Sequence, residues 1–191
     1  MTQPVMDRPK TALVNRLAWL LWASWLASAC VAPAARPTSP VPIWVVDDGN
    51  HNGIVMPAED APFKPAGTAA GSFVEYGFSD RRWMREGTLS AGRIWELIVG
   101  QNEGVIVLRV HECIDDATRE RMPRKILARR EDFARLSDEL WGWVRRDGRV
   151  EEHQGAPPTF VIESTHAYSL LNNCRVFTAR LLQQLGDSEQ P

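Results

Sequence analysis

The chain has three cysteines, Cys30, Cys113 and Cys174. Cys174 stands at the front of NNCRVFTARLL, residues 172–182. From it, Phe177, Leu181 and Leu185 follow at helical spacing, so the four share one face of a helix that starts near Asn173. The thiol therefore begins the buried face, and Asn172 or Asn173 supplies the cap. First-turn backbone N–H groups and the helix dipole favour an anion there. A cysteine pKa of about 8.5 can fall by a unit or more at such a place. The same position also suits an inert core thiol, because free cysteine is among the most buried residue types. A nucleophilic cysteine needs an imidazole within reach. His51, His111, His153 and His166 are the four candidates. His51 opens a strand after Gly49-Asn50, at a sheet edge where a side chain can face a cleft. His111 ends a strand, His153 lies in the polar stretch EEHQGAPP, and His166 precedes the cysteine helix.

Around these residues the chain reads as one α+β domain with a small, mostly antiparallel sheet packed with helices. Strands are predicted at 42–48, at 51–57, at 72–78 (SFVEYGF) and, most clearly, at 104–111 (GVIVLRVH). TFVIES, from Thr159, is a further strand. Residues 57–71, rich in Pro, Ala and Gly, read as an exposed loop. Ser79 or Asp80 is placed to cap a short helix that begins SDRRWM. Helical periodicity covers 88–99 and about 130–146, the latter ended by Asp147-Gly148.

With 191 residues, 44% hydrophobic and 24% charged, the chain can bury a real core. Its net charge of -2 is spread along the chain and gives no reason to expect nucleic acid as a partner. There is no Walker loop, no dinucleotide glycine pattern and no His-Glu-x-x-His, and no cofactor is expected. A metal held by His111, Glu112 and Cys113 is disfavoured, since neighbours on a strand point to opposite faces.

The first 29 residues read as a signal peptide. Arg8, Lys10 and Arg16 precede an apolar stretch, Leu17 to Ala29, that is shorter than the about 20 residues of a spanning helix. Its end, LASAC, fits either an A-x-A cleavage site or a lipobox in which Cys30 is lipidated; a retained anchor is the third reading. Lipidation is preferred, because residues 30–41 form a Pro/Ala/Ser tether. Each reading exports the domain at 42–186, followed by a tail at 187–191. The expected location is the bacterial cell envelope, periplasmic and held to the membrane through the N-terminus at Cys30.

HNGIVMP, FVEYGFSDRRW and YSLLNNCRVFTARLL occur in that order across about residues 42–186. Together they resemble an uncharacterised bacterial family described as urease-region conserved hypothetical proteins. More widely, the layout resembles circularly permuted NlpC-type papain-like proteins, the lecithin–retinol acyltransferase relatives among them, in which a histidine strand comes first and an Asn-Cys helix last. That resemblance implies His51 as base and Cys174 as nucleophile. It implies Glu75, on the strand after the histidine, as the group that orients the base, with 57–71 as an insertion between them. The implied activity is hydrolysis or acyl transfer on an amide or ester through a thioester, with cell-wall peptide or lipid as substrate. The family pattern carries Trp before the histidine and Asn-Thr-Trp after the cysteine. Here those positions hold Asn50 and Arg175-Val176-Phe177. The rival expectation is a non-catalytic envelope binding or scaffold domain in which Cys113 and Cys174 are structural or joined as a disulfide.

Overall fold

A computed structural model describes residues 39–87, 91–99, 102–153 and 157–186. The stretch read as a signal peptide, Cys30 and most of the stretch read as a tether lie outside the described residues. The elements are β1 (Val41–Asp47), β2 (Asn52–Pro57), β3 (Phe73–Asp80), α1 (Arg81–Glu86), α2 (Ala91–Val99), β4 (Asn102–His111), α3 (Asp116–Glu120), β5 (Arg124–Ala128), α4 (Arg130–Trp143), β6 (Val150–His153), β7 (Thr159–Tyr168) and α5 (Cys174–Gln183). All seven strands join one antiparallel sheet in the order β5-β1-β2-β3-β4-β7-β6. The α+β class is as the sequence predicts. Among the described residues no helix is long and apolar enough to cross a membrane.

Alternation along the strands gives the sheet two different faces. Ile54 and Met56 of β2, Val74, Tyr76 and Phe78 of β3, and Ile106 and Leu108 of β4 share one of them. They pack with Phe133, Leu136, Leu140 and Trp143 of α4 and with Phe177 and Leu181 of α5 to form the main core. Each such side chain stabilises the fold by about 1.5–3 kcal/mol relative to exposure. The opposite face carries smaller clusters, one around Val46, Val55 and Met122 and one around Val105, Val107 and Val161. Between those clusters lie the polar groups described below.

Several sequence expectations change. The helix expected to run to Arg146 ends at Trp143, because Val144 turns extended and bridges to Ser164 of β7. Tertiary pairing overrides the Asp147-Gly148 stop. The loop after β2 is not simply exposed. Ala58 and Pro65 are buried, and Phe63 stacks edge-on against Tyr76 with ring centroids 5.1 Å apart. The Tyr76 hydroxyl donates to the Phe63 carbonyl, tying the loop to the sheet. β5 and β6 are added strands, and β6 places His153 in the sheet instead of a loop. β2 is an interior strand, so His51 stands at the end of the sheet and not along an edge.

Candidate active site

Cys174 is the first residue of α5. The two asparagines before it build its position. Asn172 Nδ2 donates to the Ala167 carbonyl at 2.7 Å, and Asn173 Nδ2 donates to that of Leu170 at 2.8 Å. These bonds fold residues 169–172 into a tight turn between β7 and α5. Asn173 Oδ1 then accepts from the backbone N–H of Arg175 and Val176, at 3.0 and 3.3 Å. It is the helix cap, and it satisfies two of the orphan first-turn donors. Phe177, Leu181 and Leu185 are buried as their spacing predicts. Cys174 is not sealed with them. It is partly exposed and lines a cavity of about 500 Å³.

His51 lines the same cavity. Its loop is an Asx turn, in which Asp48 Oδ1 accepts from the N–H of Asn50 and of His51, at 3.1 and 2.7 Å. Gly49, at φ 84°, makes the left-handed step the turn needs. Arg175, next to the cysteine, reaches the Gly49 carbonyl at 3.5 Å, so the cysteine turn touches the histidine loop. The imidazole lies over a glycine pair. Gly53 and Gly77 face each other across β2 and β3. A Cβ on Gly77 would come within 2.3 Å of His51 Cε1 and 2.8 Å of Nε2. A side chain there would evict the ring.

Glu75 is 1% exposed and is the hub of this face. Its Oε1 meets His51 Nε2 at 3.0 Å and Arg109 Nη1 at 2.6 Å; its Oε2 meets His111 Nε2 at 2.9 Å. Register explains the convergence. Glu75 pairs directly with Arg109, and His111 lies two residues further along β4 on the same face. Burial by itself would raise the Glu75 pKa. The hydrogen bonds from His111 and His51 and the Arg109 charge outweigh it and hold the carboxyl well below the usual range. An ionised Glu75 makes Nε2 of His51 the N–H donor, which leaves Nδ1 with its lone pair.

Tyr168 completes the cavity beside the thiol. Burial, then the neighbouring Cys174 and Asp80, push its hydroxyl pKa up to about 12, so it stays protonated. The phenol interacts with both the thiol and the backbone N–H of Cys174. Asp80 caps α1 through the Trp83 N–H at 2.7 Å and also lines the cavity.

Of the residues predicted from sequence, Cys174 and His51 share one cavity, and His51 and Glu75 share a hydrogen bond. Cys30 lies outside the described residues. His166 stacks on Trp143 with ring centroids 4.1 Å apart, away from this cavity, and burial lowers its pKa. Cys113 is exposed, and both it and Cys174 are free thiols. Sequence reasoning missed Arg109 and Tyr168 and left His111 without a role. Alternation on GVIVLRVH puts Arg109 and His111 on one face, a signal that needed the β3–β4 register to be useful. Among the described residues no His, Cys, Asp and Glu group is arranged as a metal site. Compared with known protein families, characterised proteins and solved structures, the chain matches none.

Proposed function

We propose that this domain is a cysteine hydrolase or acyltransferase with a permuted papain-like arrangement, exported and held at the cell envelope through its N-terminus. It acts on an amide or ester, of a cell-wall peptide or a lipid. The observation that carries this reading is the shared cavity: Cys174 at a capped helix start, with His51 anchored to a buried carboxylate.

His51 Nδ1 takes the thiol proton of Cys174. The thiolate, favoured by the helix N-terminus, attacks the substrate carbonyl carbon. Because Asn173 already holds the N–H groups of Arg175 and Val176, and the phenol oxygen meets the N–H of Cys174, the Tyr168 hydroxyl is the donor beside the reacting centre. It stabilises the oxyanion. The protonated His51 then gives its proton to the departing amine or alcohol, leaving a thioester on Cys174. Water, or a second acceptor, releases the acyl group with His51 again as base. Glu75 keeps the ring in the tautomer with Nδ1 free and stabilises the imidazolium, the third-member role in triad logic. Arg109 and His111 hold Glu75.

The test is labelling of Cys174 by a neutral chloroacetamide probe at pH 7 in a Cys113→Ala background, with the labelled residue read by mass spectrometry. His51→Ala should slow labelling by about 100-fold, the lower range for a positioned base. Equal rates would remove His51 from the mechanism. Absence of a free Cys174 thiol in protein isolated under oxidising conditions would favour the scaffold alternative.

A further inference from the structure

Seven large hydrophobic side chains among the described residues are well exposed, and five of them belong to three short segments around the Cys174 cavity. They are Trp83 on α1, Trp95 and Ile98 on α2, and Leu170 and Leu171 in the turn before α5. The segments are joined to each other. Trp83 and Leu97 line the cavity, Leu170 N–H donates to the Leu97 carbonyl at 3.3 Å, and Arg82 of α1 reaches Glu96 of α2 at 3.4 Å. Leu171, at the tip, is 90% exposed. Single exposed apolar residues need no explanation, but a collar drawn from three parts of the chain around one opening does.

We propose that this collar docks on the surface of a lipid bilayer, so that the Cys174 cavity opens onto the membrane plane. Two observations choose the bilayer over a protein partner. Lipidation at Cys30, or else retention of the apolar stretch Leu17 to Ala29, is expected to hold the chain at a membrane, where the local concentration of bilayer surface is high. The collar also mixes indole and leucine side chains with exposed arginines: Arg82 and Arg85 are paired with Glu86, Glu96 and Glu151, and Arg175 reaches the Gly49 carbonyl. That composition is the one that settles at a lipid–water boundary. Reach is sufficient. The twelve residues 30–41 span up to about 40 Å when extended. The sheet run from Val41 to the cavity end of β1 covers only about 23 Å. That substrate then enters from the membrane plane rests on the catalytic reading above; the docking does not.

The experiment uses the full chain in phosphatidylethanolamine/phosphatidylglycerol vesicles, with and without brominated acyl chains. The Trp95 share of the fluorescence is the difference between wild type and Trp95→Phe. Docking predicts at least twofold quenching of that share by the brominated lipid. The double variant Leu170→Glu/Leu171→Glu, shown to be folded by circular dichroism, should lose the quenching while still floating with the vesicles. Cys174→Ser should quench like wild type, so failure of the catalytic reading leaves this result standing. An unquenched Trp95 in chain that floats would overturn the proposal, as would chain that fails to float at all. So would a lipid-free dimer that shields Trp95 from acrylamide, since a second copy would then cover the collar.

Discussion

Glu75 and Asp132 are both buried carboxylates with several side-chain nitrogen partners, and they solve burial in opposite ways. Asp132, in the first turn of α4, is held by Arg129 at the N-cap and Arg135 on the helix, each three residues away, at 2.8 and 2.5 Å. Both arginines are more than half exposed, so water screens the pair. Glu75 draws its partners from positions 24, 34 and 36 residues away in sequence. Those partners are themselves largely buried. The first arrangement is local and forms with its helix. The second exists only once three strands have paired in one register. A carboxylate that fastens a helix start can be found from helical spacing; one that gathers side chains toward a cavity cannot.

Removing each carboxylate should separate the two cases. Glu75→Ala leaves Arg109 and two imidazoles without their shared acceptor, and should cost about 3–5 kcal/mol in urea unfolding. A loss under about 1 kcal/mol would mean the cluster is solvated and not a buried hub. Next comes Gly77→Ala, which leaves Glu75 with Arg109 and His111 but pushes into the His51 ring. Cys174 labelling should slow by about 100-fold, in the range that misplacing a reacting group costs. An unchanged rate would show that the ring over Gly77 is not the conformation that activates the thiol. Asp132→Ala should cost only about 1 kcal/mol, through the lost dipole and screened-pair contributions, and should leave labelling untouched.

Acid sharpens the same contrast. The folded-state pKa of Glu75 lies below its ordinary value. Its contribution is therefore fully present above the ordinary glutamate range and is lost as pH falls through and below it. Between pH 6 and pH 3, wild type should lose more unfolding free energy than Glu75→Gln, which has no such group to titrate. Parallel losses in the two proteins would show that other carboxylates carry the acid sensitivity.

Much of the architecture could be read from particular residues. NNC announced a capped helix, and Phe177, Leu181 and Leu185 its buried face. The strand at 104–111 was legible from the apolar, largely β-branched run Val105 to Leu108 and from Val110. RKILA and VEEH were not, because each is short, with only Ile126 and Ala128 of the first reaching the core, and becomes a strand only by pairing with β1 or β7. At the site, His51 and Glu75 were proposed from the order of motifs. Arg109 and His111 waited on the β3–β4 register, which no local pattern contains. Tyr168 waited on where the turn before α5 brings the end of β7.

The hydrogen bond from Arg175 to Gly49 joins residues 126 apart in sequence. The histidine loop is made early and the cysteine helix last, so nearly the whole described domain must be synthesised before they can meet. Contacts of such long sequence separation are slow to form. During synthesis the chain therefore carries the histidine loop well before the cysteine turn that packs against it. Chain order delays the meeting of imidazole and thiol in one cavity until α5 docks.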